Sequence, residues 1–295
     1  MAGKSVISEE FLQQIETLQM LIKNNVAGLF GGNHQSKTYG SSCEFADYRD
    51  YVAGDDVTKI DWNAYARFDK LYLKLFLDER QMHTRIYIDG SRSMEYGGSK
   101  KAEQAIKLAA AFAYLSVCEM DKVSIYVMKD KQLIEVIGGM VGKEAYMTSI
   151  QKLNEITFDG DCRISDCIVP SNVGYGDGLS LILSDFLTEN DYESAIDVLA
   201  SKKRDIFCMQ ILSKEEVEPV IRGKVHFFDS ENVENTYRKN IDREIARAYR
   251  RALEYSVNRI QNYAHARGAA YMQVLATENL TKIFLEKLIN TGVLK

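Results

Sequence analysis

Three oxygen-bearing side chains stand at alternate positions in IYIDGSRSMEYGG, residues 86–98: Asp89, Ser91 and Ser93. One carboxylate and two hydroxyls suit a small hard cation such as Mg²⁺, which takes oxygen ligands in near-octahedral geometry and keeps several waters. The same triplet also arises as plain turn or N-cap chemistry, because Asp and Ser side chains bond nearby backbone amides. A hard-ion site needs other loops as well. LSLILSDF ends in Ser184-Asp185, a second carboxylate where another apolar run stops, and TFDGDCRIS supplies a third loop with Asp159 and Asp161.

The elements that must position these residues follow from the hydrophobic runs. TRIYID, DKVSIYVM, KQLIEVIG, LSLILS and DIFCMQILS read as strands, the second and third joined by a turn at Lys129-Asp130. SKKAEQAIKLAAAFAYLSVCEM is too long for a strand and rich in helix formers, with Ser99 as N-cap and Glu103 in the first turn. Further helices are expected near Lys143–Glu155, from Ile164, and over NDYESAIDVLASKK. Aliphatic strands alternating with helices predict an α/β fold, a doubly wound and mostly parallel sheet covered on both faces. Ligands of such sheets collect beyond the carboxyl ends of the strands, where Asp89 and Asp185 fall.

Three regions are expected. Residues 1–80 hold an amphipathic helix, an irregular glycine-rich segment and LYLKLFLDE, whose Leu71, Leu73, Leu75 and Leu77 alternate as in a strand. Residues 81–229 form the core. Residues 230–295 form an extension packed on it: a long helix from about Tyr237 to Ala266, a strand near Tyr271–Leu275 and a final helix.

Bulk properties narrow the classes of function. The 295 residues are 46% apolar and 27% charged, the balance of a soluble globular protein. A net charge of −5 gives no reason to expect nucleic acid as a partner. No apolar run is long enough to span a bilayer, and the N-terminus lacks a signal-peptide core. Five cysteines without a C-x-x-C pair argue for a reducing, cytoplasmic setting and against a thiolate zinc site. The four histidines show no metal-ligand spacing, and no nucleotide phosphate loop is present.

DGSRSM after one apolar strand and SDF after a later one resemble the metal-ion-dependent adhesion site of a von Willebrand factor type A domain. Upstream, EFADYRDYVAGDDVTKIDWNAYARFDKLYLKLF closely resembles the signature of a bacterial family in that superfamily, domain of unknown function 58, and GKVHFFDSENVE resembles its C-terminal segment. The resemblance runs from about Gly31 to the C-terminus. It implies Mg²⁺ at the top of the sheet, held by Asp89, Ser91, Ser93 and, directly or through water, Asp185. It implies adhesion rather than turnover: a partner's Asp or Glu completes the coordination shell, and the partner is an AAA-type chaperone ATPase. One departure stands out. Where the superfamily places a threonine in the middle loop, this chain reads Gly160-Asp161-Cys162, and a neutral thiol is a poor ligand for Mg²⁺. Asp161 or a water substitutes for it, or the ion is held weakly or lost.

Within the signature, Tyr48, Arg49, Asp55, Asp56, Asp61 and Trp62 crowd acids and aromatics into fifteen residues. They read chiefly as a polar network pinning an irregular segment, with Trp62 as its anchor, and secondarily as a functional surface. Arg243, Arg247, Arg250 and Arg251 read as a solvated helix face. Two rival functions remain. A metal-dependent phosphohydrolase would use Asp89 as nucleophile, but it needs a general acid two residues on, and Ser91 stands there. A degenerate, metal-free scaffold is favoured only by Cys162.

Overall fold

The computed structural model describes residues 5–25, 35–39, 45–79, 81–95, 100–187, 192–219, 223–228, 236–241 and 243–288. The chain divides into two compact units, one formed by Gly31–Gln81 and the other by Met1–Phe30 with Met82–Lys295.

The larger unit is built on a six-stranded sheet. Its strands are β4 (His83–Asp89), β5 (Lys122–Lys129), β6 (Gln132–Met140), β7 (Leu179–Ser184), β8 (Asp205–Leu212) and β11 (Ala270–Leu275), in the order β11-β8-β7-β4-β5-β6. All neighbours pair in parallel except β5 and β6, a hairpin whose turn residues Asp130 and Lys131 both take positive φ. Period-two alternation decides what each face buries. On β4, Ile86 and Ile88 face one core and Tyr87 the other; on β7, Leu181 and Leu183 oppose Ile182; on β8, Phe207, Met209 and Ile211 oppose Ile206 and Cys208. Helix α3 (Lys101–Cys118) and helix α4 (Gly142–Ser149) cover the first face. Helices α5 (Ile164–Cys167) and α6 (Glu193–Ser201), with the end of α8 (Arg243–Ala266), cover the second. This is the doubly wound, mostly parallel α/β sheet that the strand–helix alternation predicts.

The boundaries differ from the expected regions. Helix α1 (Glu9–Asn25) does not belong with the segment that follows it. It buries Phe11, Ile15, Leu18 and Ile22, spaced as one helical face, in the core against α3. The C-terminal strand β11 is the edge strand of the main sheet, paired with β8 from Ala270 to Leu275. The long helix starts at Arg243, because Thr236–Ile241 is strand β10, paired antiparallel with β9 (Gly223–Phe228). The expected N-cap Ser99 lies outside the described residues; Lys100 precedes α3 in a left-handed conformation instead. On α8, Arg247, Arg250 and Arg251 are exposed, as a solvated face requires. Among the described residues Cys118, Cys162, Cys167 and Cys208 are free thiols, and no helix is long and apolar enough to cross a membrane.

The smaller unit is a three-stranded antiparallel sheet in the order β1 (Gln35–Tyr39), β3 (Tyr72–Glu79), β2 (Phe45–Asp50), with the short helix α2 (Trp62–Phe68) between β2 and β3.

Candidate functional site

Strand order creates the site. The chain leaves β4 for β5 on one side and later returns to β7 on the other, so connections run in opposite directions from β4. Above the carboxyl ends of β4 and β7 this leaves the crevice where doubly wound sheets hold their ligands. Asp89 ends β4, and Ser184-Asp185 ends β7. Gly90 follows because the loop passes tightly over β5: a Cβ there would lie 2.7 Å from Val127 Cγ1 and 3.1 Å from the Met128 carbonyl oxygen. The middle loop is stitched on by its backbone, Gly160 N–H donating to Gly90 O at 3.3 Å and Arg92 N–H to Gly160 O at 3.0 Å.

The side chains then converge. Asp89 accepts from Ser91 N–H at 2.9 Å and from Ser184 Oγ at 2.5 Å. Ser93 Oγ donates to Asp185 Oδ2 at 2.8 Å and lies 2.9 Å from Ser91 Oγ. Asp89, Ser91 and Asp185 are 3%, 2% and 2% exposed. A neighbouring carboxylate raises the cost of ionising a buried carboxyl. Burial first, and the Asp185 charge second, push the Asp89 carboxyl above its ordinary range despite the hydrogen bonds from Ser184 and Ser91.

A cation completes the group. Lys101 is 1% exposed, and its Nζ donates to Asp185 Oδ2 at 2.8 Å and to Glu216 Oε1 at 2.5 Å. Burial opposes its charge, but the Asp185 and Glu216 carboxylates outweigh burial and raise its pKa. Glu216 belongs to the single-turn helix α7 (Lys214–Val217), which follows β8. A reciprocal capping box with Ser213 holds it there, and Tyr249 donates to its carbonyl at 2.9 Å.

The third loop divides. Cys162 is buried against Asp89; hydrogen bonding with Cys167, then burial, then the Asp89 charge push its thiol far up, so it stays neutral. Asp161 lies exposed outside the buried group, its backbone tied to Asp130 of the β5–β6 turn. Asp159 does not join the site. Its carboxylate pairs with Lys129 and accepts from Thr157 at 2.9 Å.

Among the described residues no group of three or more His, Cys, Asp or Glu side chains is placed to hold a metal. The donor set is of another kind: the oxygens of Asp89, Ser91, Ser93 and Asp185. These fit a small hard divalent cation in chemistry. A cation would also relieve the approach of Asp89 to Asp185, because the single ammonium of Lys101 is already shared between Asp185 and Glu216. Cys162 does not fit as a ligand.

The signature residues form a separate network in the smaller unit. Asp61 caps α2 by accepting from Asn63 N–H at 2.9 Å and Ala64 N–H at 3.2 Å. It also accepts from Tyr48 Oη at 2.8 Å and pairs with Lys74 at 3.3 Å. These donors, led by Tyr48, hold its carboxyl at about 2. Arg49 pairs with Asp55 at 2.8 Å, Asp55 also accepts from Val52 N–H, and Asp56 caps the turn at Thr58. Trp62 is not the anchor its size suggests. It is 61% exposed, edge-on to Tyr65, with Phe68 beside them on the same solvent-facing helix.

Lys101 and Glu216 are the site residues that motif reading misses. Lys101 sits in a run of charges at a helix start, which reads as solvated. Yet Ala105, Leu108 and Phe112, at helical spacing from it, are all buried, and that register carries the signal. Ser213-x-x-Glu216 is legible as a capping box.

A relative from Mycobacterium tuberculosis, "Uncharacterized protein Rv1480", is 22% identical over 226 residues, which cover 74% of this chain and 70% of that protein. Among solved structures, a conserved hypothetical protein BatB from Bacteroides thetaiotaomicron aligns over 72% of this chain and 98% of its own, at 14% identity and a TM-score of 0.41. The SpRpn10 VWA domain aligns over 70% and 94%, at 8% identity and a TM-score of 0.37. The model of the family described as "Protein of unknown function DUF58" matches residues 47–259, which start inside the signature and end in α8. That match spans more than half of the sequence, and the chain belongs to the DUF58 family.

Proposed function

We propose that this protein is a non-enzymatic, cytoplasmic interaction module that docks a partner's carboxylate at the Asp89–Ser91–Ser93–Asp185 crevice in a Mg²⁺-dependent way. The observation that carries the reading is the convergence of two buried carboxyl groups and two serine hydroxyls at the switch point of the sheet. When bound, the ion supplies an open coordination position for the incoming carboxylate. The chain itself does the rest. Asp89 and the two serines present oxygens from one rigid loop, Ser184 fixes the Asp89 carboxylate, and Lys101 holds Asp185 in place. A phosphohydrolase is disfavoured because Ser91 stands where a general acid is needed, and its hydroxyl is bonded to Ser93. Family resemblance names an AAA-type chaperone ATPase as the partner. Affinity capture from native lysate, with and without Mg²⁺, tests this with wild type and Asp89→Ala. Recovery of such an ATPase only by wild type with Mg²⁺ supports the reading; equal recovery by the variant overturns it.

A further inference from the structure

Lys101 is placed against ordinary electrostatics. It is the first residue of the eighteen-residue helix α3, whose N-terminus carries the positive end of the helix dipole and favours anions. It is also 1% exposed, where an ammonium loses its hydration. Neither cost is met by helix propensity or packing; both are offset by the two carboxylates that grip it from different elements, Asp185 after β7 and Glu216 on α7. The geometry at Asp185 is selective. Its Oδ2 already accepts from both Lys101 Nζ and Ser93 Oγ, each at 2.8 Å, while Oδ1 accepts from Leu187 N–H at 3.1 Å. Asp89, by contrast, meets no cation among the described residues: its donors there are Ser91 N–H and Ser184 Oγ.

We infer that Lys101 is a tethered cation that occupies the Asp185 side of the crevice, so that a divalent ion is held on the Asp89–Ser91–Ser93 side and with restrained affinity. This rests on the docking reading and names a residue that regulates it. The consequence is reversible docking: a site with two full carboxylates would hold its ion tightly whether or not a partner was present, whereas one with Asp185 pre-neutralised leaves the partner's carboxylate to complete the binding. Lys101 is a positioning residue here, since it acts through Asp185.

Mn²⁺ titration by calorimetry, on the full chain, tests the inference. Lys101→Met removes the cation and frees Asp185. Lys101→Met/Glu216→Gln removes it together with one of its partner carboxylates, so that one charge of each sign is lost, and serves if the single variant fails to fold. Lys101→Arg restores the charge. The expected result is Mn²⁺ binding about tenfold tighter in Lys101→Met, tighter than wild type in the double variant, and within about threefold of wild type in Lys101→Arg. A purely structural lysine would not raise affinity when removed. Unchanged or weaker binding in the folded variants overturns the inference, as does a lack of uptake in all of them. Uptake by the double variant but not by wild type supports the inference while sinking Mg²⁺-dependent docking, which lysate capture judges separately.

Discussion

Two aspartates of this chain are each buried, yet their carboxyls are driven in opposite directions. Asp61, in the smaller unit, is surrounded by donors: a phenol, two backbone amides and an ammonium. Its pKa falls to about 2. Asp89, in the larger unit, is cut off from solvent and faces a second carboxylate, and its pKa rises. The difference separates structural from functional acid chemistry better than burial does. Asp61 spends its charge on holding its own segment together. Asp89 is a carboxyl whose charge the protein does not itself stabilise, at the crevice that the sheet topology opens between β4 and β7.

The sharpest way to break this contrast is to disturb the neutralised half of the site. Asp185→Ala leaves the buried Lys101 with the partly exposed Glu216 as its one carboxylate among the described residues, and removing one member of a buried pair costs on the order of 3–5 kcal/mol. The urea midpoint of the larger unit should drop accordingly; an unchanged midpoint would mean that Lys101 is not held as described. Asp61→Ala should have a smaller and more local effect. Hydrogen exchange should speed up in β2, α2 and β3, with Mn²⁺ uptake unaffected, because the cap and the Tyr48 and Lys74 contacts are lost together. A matching loss of Mn²⁺ uptake would merge the two aspartates into one function.

A titration away from both aspartates provides a control for pH effects. Burial first, then Arg85, Arg204 and Lys122, push His83 down to about 4. The unfolded chain therefore takes up a proton near pH 6.5 that the folded chain refuses. Stability is full above about pH 6.5 and should decline as pH falls toward 4, and His83→Gln should flatten that decline. An equal pH dependence in wild type and His83→Gln would contradict the assignment. The smallest effect belongs to Trp62→Ala. The side chain is largely exposed, so stability should change by no more than about 0.5 kcal/mol. The emission of this single tryptophan should already be that of a solvated indole before unfolding.

Much of the larger unit was legible because its strands are buried on both faces and read as aliphatic runs. The carboxyl-end aspartates were legible for the same reason, since each closes such a run. What the sequence hid was set by long-range pairing. Nothing local tells that α1 packs on α3 rather than on its neighbours in sequence, or that the strand at Ala270 joins β8, which ends at Leu212. Lys101 and Glu216, 115 positions apart, meet because β7 pairs with β4 on one side and with β8 on the other. Trp62 misled because size argues for burial, while its helix buries no side chain.

The central claim is that Asp89 anchors a divalent ion. Calorimetric titration of Mn²⁺ into wild type and Asp89→Ala, with circular dichroism confirming that both are folded, tests it directly. The account predicts one equivalent bound by wild type and displaced by Mg²⁺, with that uptake lost in the variant. Equal uptake by both proteins, or none by wild type, would contradict it.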